Sequence, residues 1–250
     1  CFHISNIKNL KFKYCMNKKI KKTKYEISYY KNFSKSKFSN HNIKERFEII
    51  YNENYWESKE SRSGIGSEIK NTKILLQGLQ DIIEKYDIKS IVDVPCGDFN
   101  WMRKLNMKNI SYTGLDIVQK AIDENNKKYK KNNVNFYLSD ITSSELPKGD
   151  LMFVRDCLVH FSFKDIKKSI FRIKQSKSKY LMTTSFINLK TNSDILTANW
   201  RPINLQKKPF NFPEPIIAIN EECEEMDGIY SDKCICLWEI DKLPDLFNFN

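Results

Sequence analysis

Short apolar runs alternate with amphipathic segments of helical period between residues 90 and 185. The apolar runs, which predict strands, are residues 90–94, 111–115, 134–138, 150–155 and 179–185. The segments between them predict helices at about 98–105, 117–130 and 163–175. Strands separated by helices of this length indicate a parallel, doubly wound α/β sheet with helices on both faces.

The rest of the chain extends this pattern at both ends. An apolar stripe at helical spacing predicts a helix over 67–86 with Ser67 as its N-cap, and Gly78 within it predicts close packing. A short helix is expected near 43–51. Two further strands, 215–220 and 233–240, are joined by a short acidic connection that favours an antiparallel pair. We therefore predict about seven strands, mostly parallel, with an antiparallel C-terminal strand.

The positive charge of the chain is concentrated at its N-terminal end. The formal net charge is +11, but residues 1–45 hold 12 lysines and only two acids, and the remainder is nearly neutral. We expect residues 1–42 to be a basic, disordered leader and residues 43–250 to form one domain. The sequence begins with Cys1, so Met16 is a candidate natural start.

Several classes of protein are disfavoured by composition. No apolar run approaches the ~18 residues of a membrane span, and the N-terminus lacks the apolar core of a secretory signal. The seven cysteines are odd in number, and none forms a zinc-binding set with histidine. We expect reduced thiols, no bound metal and a cytoplasmic location.

Acidic residues follow four consecutive predicted strands, as Asp93, Asp116, Asp140 and Asp156. Ligands of open parallel sheets bind outside the carboxyl ends of the strands, so these acids should converge at one rim. Asp116 can accept hydrogen bonds from both ribose hydroxyls, and Asp140 can accept one from an adenine amino group.

The loop after the first strand contains one glycine, where a site for pyrophosphate needs several. Gly97 lets the backbone approach a ligand closely, Pro95 stiffens the turn, and Asp93 and Asp98 suit a cation. A nucleoside with a small cationic tail fits this set, and S-adenosylmethionine is such a molecule.

Four motifs carry a resemblance to a known family: "DVPCGDFNWM", "YTGLDIV", "RDCLVHFS" and "WRPINLQKKPFNFPEP". The sequence resembles the class I S-adenosylmethionine-dependent methyltransferases. More narrowly, it is similar to a microbial group with motifs of the form DxPCGDFxWM, YxGxDIV, RDxLVHxS and WRPxNLxxPPFxFPxP. The resemblance covers roughly residues 55–243 and implies a Rossmann-like fold. The broad class has three spaced glycines in this loop, and of these only Gly97 is present in this sequence.

The resemblance implies that Asp93, Gly97, Asp116 and Asp140 line the cofactor site. Their neighbours at the strand ends complete the candidate cofactor set: Pro95, Cys96, Asp98, Trp101, Ile117, Ile141 and Arg155. The segment "SRSGIGS", residues 61–67, also resembles the narrower group, and Arg62 is a candidate partner for the methionine carboxylate.

The catalytic candidates are His160 and Asp156, four residues apart after the fourth strand. His160 could accept the proton of the substrate, with Asp156 orienting it or binding the acceptor; alternatively, His160 packs a short helix beside the sheet. Trp200, Arg201 and Asn204 are candidates for the acceptor site. The alternative is that Trp200 and Phe210 pack their proline-rich loop against the domain.

Several functions remain open at this point. We expect methyl transfer to a hydroxyl or amine of a small molecule or glycan. The alternative is an RNA acceptor, with the lysine-rich leader as an electrostatic tether. A nicotinamide-binding reductase and a non-catalytic nucleotide-binding scaffold fit less well, because the G-x-G-x-x-G fingerprint is missing and the acids are present. The sequence leaves the oligomeric state open.

Overall fold

A computed structural model describes residues 38–247 of the chain. The helices are α1 (Ile43–Asn52), α2 (Lys73–Lys85), α3 (Gln119–Tyr129), α4 (Phe163–Gln175) and the short α5 (Glu225–Gly228). The strands are β1 (Ser90–Asp93), β2 (Ser111–Asp116), β3 (Val134–Leu138), β4 (Leu151–Val154), β5 (Tyr180–Phe186), β6 (Ile217–Asn220) and β7 (Lys233–Glu239).

The seven strands form one sheet in the order β3-β2-β1-β4-β5-β7-β6. The first five strands are parallel, and β7 pairs antiparallel with both β5 and β6. The prediction of about seven strands, mostly parallel with an antiparallel C-terminal strand, is confirmed. The strand order reverses direction between β1 and β4, and this switch point is where sheets of this kind bind ligands.

The sheet separates two apolar clusters because alternate residues of each strand point to opposite faces. Val92 and Met152 face the cluster that contains α4, whereas Ile91 and Leu151 face the cluster that contains α2. Helix α2 packs through Leu75, Leu79, Ile82 and Ile83, all of them buried. The helices therefore cover both faces, as predicted.

Two predicted helices differ from the observed ones. Helix α2 begins at Lys73, and Ser67 lies in an earlier 3₁₀ turn, where its hydroxyl donates to the Ser63 carbonyl. The helix predicted over 98–105 is only a 3₁₀ turn at Met102–Lys104, because Phe99 takes a positive φ of 58° that ends helical geometry there. The close packing predicted at Gly78 is confirmed: an added Cβ would lie 2.5 Å from Ile219 of β6.

The predicted leader falls largely on residues 1–37, which lie outside the described residues. Its last five residues are described and belong to the fold. Phe38 is buried with Ile50 and Ala198. Asn42 caps α1 by accepting a hydrogen bond from the Glu45 amide, while the Glu45 carboxylate accepts one from the Asn42 amide.

Candidate active site

A crevice opens at the carboxyl ends of β1 to β4, at the switch point of the sheet. It encloses about 1060 Å³, counting its open mouth. The structure brings all the predicted cofactor and catalytic residues to its walls: Arg62, Asp93, Pro95, Cys96, Gly97, Asp98, Trp101, Asp116, Ile117, Asp140, Ile141, Arg155, Asp156 and His160. The acids at the ends of four successive strands therefore lie around one crevice, as expected.

The loop after β1 approaches the crevice through Gly97, which has a φ of +54°. Its amide donates to Asp116 Oδ2 at 2.9 Å, and its carbonyl accepts from Asn125 Nδ2 at 2.8 Å. A Cβ at this position would collide with the Ser63 hydroxyl. Glycine is required here both by backbone conformation and by space.

The Asp116 carboxylate is buried at the end of β2 and held by two backbone amides. Oδ2 accepts from Gly97, and Oδ1 accepts from the Val118 amide at 2.9 Å. Burial raises the pKa of Asp116 to about 6, and these hydrogen bonds limit the rise. Each carboxylate oxygen can accept more than one hydrogen bond, so the group retains capacity to accept hydrogen bonds from a ligand.

Asp93 is buried at the end of β1 and lines the crevice beside Tyr112. The Tyr112 hydroxyl donates to Asp93 Oδ2 at 2.6 Å. Burial raises the pKa of Asp93 to about 8, although this hydrogen bond opposes the rise. The carboxyl is therefore mostly neutral at pH 7, and its expected attraction for a cation is weak there.

The raised pKa of Asp93 makes folding depend on pH. Between about pH 4 and pH 8 the folded state holds a proton that the unfolded state releases, so the unfolding free energy should fall as pH rises. The slope for one such group is at most about 1.4 kcal/mol per pH unit. Asp93→Asn keeps an oxygen for Tyr112 and should flatten this slope in denaturant titrations between about pH 6.5 and 8.

An exposed acid supplies the control for this prediction. Asp81 lies on the exposed face of α2. The unfolding free energy of Asp81→Asn should therefore depend on pH with the same slope as that of the natural chain. An equal slope in the natural chain and in Asp93→Asn would show that Asp93 is ionised in the folded state.

Asp98 holds a segment that crosses the crevice, and we call residues 58–67 the bridging segment. Asp98 Oδ2 accepts from the Arg62 amide at 2.7 Å, and Oδ1 accepts from the Ser61 hydroxyl at 3.0 Å. Both oxygens of Asp98 thus bind the chain itself, and the expectation that Asp98 faces a cationic ligand stays a prediction. Arg62 is exposed at the crevice mouth.

Asp140 ends β3 with its carboxylate turned partly onto its own loop. Oδ1 accepts from the Thr142 amide at 2.8 Å, and Oδ2 accepts from the Ser143 hydroxyl at 3.0 Å. These contacts fix the carboxylate at the crevice wall beside Ile141. Its second lone pairs leave the predicted contact to an adenine amino group possible.

Four charged side chains form a buried cluster behind the end of β4: Arg155, Asp156, Glu221 and Lys233. Arg155 Nη2 lies 2.6 Å from Glu221 Oε2, and Lys233 Nζ lies 2.7 Å from Asp156 Oδ2. Arg155 also donates to the Gly66 carbonyl at 3.0 Å and so ties the bridging segment to the sheet. Sequence reasoning missed Glu221 and Lys233 because they lie 66 and 77 residues from their partners.

The charges in this cluster stabilise one another. Burial would raise the pKa of Asp156, but Lys233 and Arg155 outweigh it and hold the pKa well below its usual range. Burial opposes the charge of Lys233, yet Asp156 and Glu221 raise its pKa. Asp156 therefore stays ionised and does not act as a proton acceptor near neutral pH.

His160 lines the crevice in a 3₁₀ turn and is oriented by the backbone. Its Nδ1 lies 2.9 Å from the Asn199 carbonyl, so Nδ1 carries the proton and Nε2 is the acceptor nitrogen. The Asp156 carboxylate binds Thr184 and Lys233, and the expectation that Asp156 orients His160 or binds the acceptor stays a prediction. Burial lowers the pKa of His160 to about 4, so the ring is neutral at pH 7.

Helix α1 and the residues after it cover the crevice, a role that the sequence did not suggest. Phe47, Ile50 and Tyr51 of α1 line the crevice, as do Trp56 and Phe161. The aromatic positions within the predicted helix 43–51 were a usable signal, since an amphipathic helix before the sheet needs an apolar surface to cover.

The predicted acceptor residues lie outside the crevice. Arg201 is buried and donates to the carbonyls of Ser193, Leu158 and Phe161. Asn204 donates to the carbonyls of Ile187 and Leu189.

Trp200 packs edge-on against Phe186 and Tyr230, and Phe210 is fully buried against Phe163. The alternative, in which these aromatics pack the loop, matches their placement. The acceptor role of Trp200, Arg201 and Asn204 remains a prediction without support from position.

Two other kinds of site are absent from residues 38–247. No group of three or more His, Cys, Asp or Glu side chains there could hold a metal ion. None of the helices in this range combines the length and apolar character needed to cross a membrane.

Comparison with known proteins gives a match to a family model over part of the chain. Residues 91–176 match the family model described as a methyltransferase domain. This match spans β1 to α4 and includes the acids that follow β1, β2, β3 and β4. A search of the curated proteins found no match to the sequence.

Solved structures share the fold at low sequence identity. PigF with SAH superposes with a TM-score of 0.59 at 12% identity, covering 86% of this chain and 68% of that one. A second structure is magnesium protoporphyrin IX methyltransferase (ChlM) from Synechocystis PCC 6803 with bound SAM. Its TM-score is 0.48 at 12% identity, and the match covers 62% of this chain and 82% of that chain.

The methyltransferase domain of the bacterial protein CtHen1 has a TM-score of 0.41 at 12% identity. The match covers 46% of this chain and 66% of that domain, just under two thirds of its length. At these identities the likeness to PigF shows a common fold.

Proposed function

We propose that this protein is an S-adenosylmethionine-dependent methyltransferase. The observation that carries the proposal is the buried Asp116 carboxylate, fixed by the Gly97 and Val118 amides at the switch point of the sheet. It lies within the segment that matches a methyltransferase domain. Such a carboxylate, with free lone pairs in a concave site, suits the two hydroxyls of a ribose.

The other crevice residues fit the rest of the cofactor. Asp140 and Ile141 would contact the adenine, Gly97 would let the backbone pass close to the ligand, and Arg62 at the mouth would meet the methionine carboxylate. When bound, S-adenosylmethionine supplies a methyl group on a positively charged sulfur. The single glycine of this loop is a poor match for a pyrophosphate, which disfavours a nicotinamide dinucleotide.

The residues of this chain have definite tasks in such a reaction. His160 presents the unprotonated Nε2 to the crevice, where it can accept the proton of an acceptor hydroxyl or amine. Trp56, Phe161 and α1 exclude water from the space above β4. Asp156 remains negatively charged nearby and favours a positive charge on His160.

The acceptor that we favour is a hydroxyl or amine of a small molecule or glycan. An RNA acceptor is the second candidate, favoured by the 12 lysines within residues 1–45. The buried cysteines at positions 96, 157, 234 and 236 are free thiols. A reducing, cytoplasmic location agrees with them and remains our proposal.

Calorimetry on the purified chain tests the cofactor assignment. S-adenosylmethionine and S-adenosylhomocysteine should each bind with a dissociation constant on the order of micromolar. NADH should show no binding at the same concentrations, because the loop after β1 offers no pyrophosphate cradle. Tight NADH binding, or no binding of either adenosyl compound, would refute the proposal.

A further inference from the structure

The crevice has a second region beyond β4 that the adenosyl-binding residues do not explain. We call it the aromatic chamber and define it by Phe47, Ile50, Trp56, His160 and Phe161. The Trp56 and His160 rings have centroids 5.1 Å apart with an interplanar angle of 34°. Phe47 and Phe161 have centroids 5.9 Å apart with an angle of 50°. Two ring pairs thus wall one end of the crevice.

The strand order places this chamber away from the ribose and adenine positions. Asp116 and Asp140 follow β2 and β3, whereas His160 and Phe161 follow β4 on the other side of β1. Helix α1 spans both regions: Tyr51 packs with Val118 and Ala121 after β2, and Phe47 contacts this cluster as well as Phe161. The chamber therefore lies on the other side of β1 from the proposed ribose and adenine positions, within the same crevice.

The buried cations at this end of the crevice, among the described residues, are engaged by protein groups. Arg155 binds Glu221 and Asp156, Lys233 binds Asp156, and Arg201 donates to three backbone carbonyls. Arg62 lies at the mouth of the crevice. A phosphate or carboxylate on the acceptor would therefore lose its hydration in the chamber with little compensation.

We propose that the acceptor is a flat, uncharged aromatic ring system that carries a hydroxyl group. The inference rests on the proposed methyltransferase function. The ring packs against Trp56 and Phe161, in the offset or edge-on arrangements that aromatic pairs prefer, and its hydroxyl points to His160 Nε2. Methyl transfer to this oxygen gives an aryl methyl ether.

The hydroxyl proton passes to His160 Nε2, and an electron pair of the oxygen forms the bond to the methyl carbon. The bond between that carbon and sulfur breaks, and its electron pair remains on sulfur as a neutral thioether. The protonated His160 then releases its proton to water.

The basicity of His160 agrees with a phenolic hydroxyl. A neutral imidazole whose pKa burial lowers to about 4 is a weak base. A phenol, with a pKa of about 10, loses its proton far more readily than an aliphatic hydroxyl, which is about as weakly acidic as water. The sugar hydroxyls of a glycan fit this chamber less well for that reason.

A matched pair of probes tests the inference. 2-Naphthol and decahydro-2-naphthol share a carbon skeleton and one hydroxyl, but only the first is flat and phenolic. With the protein saturated with S-adenosylhomocysteine, 2-naphthol should bind at least about 10-fold more tightly in calorimetry. With S-adenosylmethionine, mass spectrometry should show 2-methoxynaphthalene and no ether of the saturated alcohol.

Variants of Trp56 test whether 2-naphthol binds in the aromatic chamber. Trp56→Leu should weaken 2-naphthol binding by about 5- to 10-fold, while Trp56→Phe, which keeps a ring, should stay within about 2-fold. S-adenosylhomocysteine affinity should remain within about 2-fold in both. Phe171→Leu is the control, because Phe171 is an exposed aromatic residue on α4 that contacts Phe247. It should change neither the affinity for 2-naphthol nor the affinity for S-adenosylhomocysteine.

The outcomes separate this inference from the proposed function. Failure of S-adenosylhomocysteine to bind would reject the methyltransferase itself. Normal binding of that compound with equal affinity for the two alcohols, or with methylation of a methyl glucoside or a short RNA but not of 2-naphthol, would reject only the aromatic acceptor. Unchanged 2-naphthol affinity in Trp56→Leu would reject the chamber as its site.

Discussion

Replacing Asp116 with asparagine should weaken S-adenosylhomocysteine binding by at least about 100-fold. The carboxylate is proposed to accept two hydrogen bonds from ribose hydroxyls, and a hydrogen bond to a charged group contributes about 1.5–3 kcal/mol. The amide also places its own donor beside the Gly97 or Val118 amide, each of which now donates to Asp116. Calorimetry on both proteins gives the ratio directly.

The pH dependence of S-adenosylhomocysteine binding tests whether Asp116 is the group that binds the ligand. Because burial raises the pKa of Asp116 to about 6, the free protein holds a proton below that pH that the ligand must displace. Affinity of the natural chain should therefore fall by up to about 10-fold per pH unit below pH 6, and the variant should lack this dependence.

Asp123→Asn on the exposed face of α3 is the matched control and should bind within about 2-fold of the natural chain. If Asp116→Asn and the natural chain bound S-adenosylhomocysteine with equal affinity, the proposal that the crevice binds an adenosyl group would be refuted.

Replacing Arg155 with methionine should lower the unfolding free energy by about 3–5 kcal/mol. Methionine fills similar space but leaves the Glu221 carboxylate, whose side chain is 2% exposed, with only Lys233 at 3.5 Å. An incompletely paired buried charge has a cost of this size. Glu221 Oε1 already lacks a hydrogen-bond partner among the described residues, so it has nothing to compensate the loss. Denaturant unfolding measures the difference.

A second substitution distinguishes this charge effect from lost packing. Arg155→Met combined with Glu221→Gln should recover a large part of the stability, because the uncompensated charge is gone. Arg172→Met, a half-exposed arginine on α4, should cost less than about 0.5 kcal/mol. If the double variant were as unstable as Arg155→Met alone, the loss would come from packing rather than from Glu221.

The sheet was predictable because its signals are local. Each strand of the parallel part is a short apolar run next to a turn or helix signal, and the acids follow at the strand ends where topology brings them together. Asp116 and Gly97 illustrate this: 19 residues apart in the chain, they are hydrogen-bonded because β1 and β2 are parallel neighbours. Knowledge of the strand order was sufficient to place them.

The rest of the site depends on contacts that no local pattern encodes. The partners of Asp98 lie in the bridging segment, about 36 residues earlier. Glu221 and Lys233, which pair with Arg155 and Asp156, lie beyond β5. Positive φ at Phe99 replaced a predicted helix by a turn. Arg201 resembled a substrate residue because it is an arginine in a loop, and only the structure shows its three carbonyl partners.

Strand β7 is made after β6 but lies between β5 and β6, and its position has a consequence for how the domain assembles. Until Lys233–Glu239 has been synthesised, β6 has no neighbour and one side of β5 is open. Lys233 also delivers its ammonium to Asp156 from this strand. The carboxyl end of β4 therefore cannot reach its final arrangement during early translation, and nascent chains should remain vulnerable to proteases until this last strand inserts.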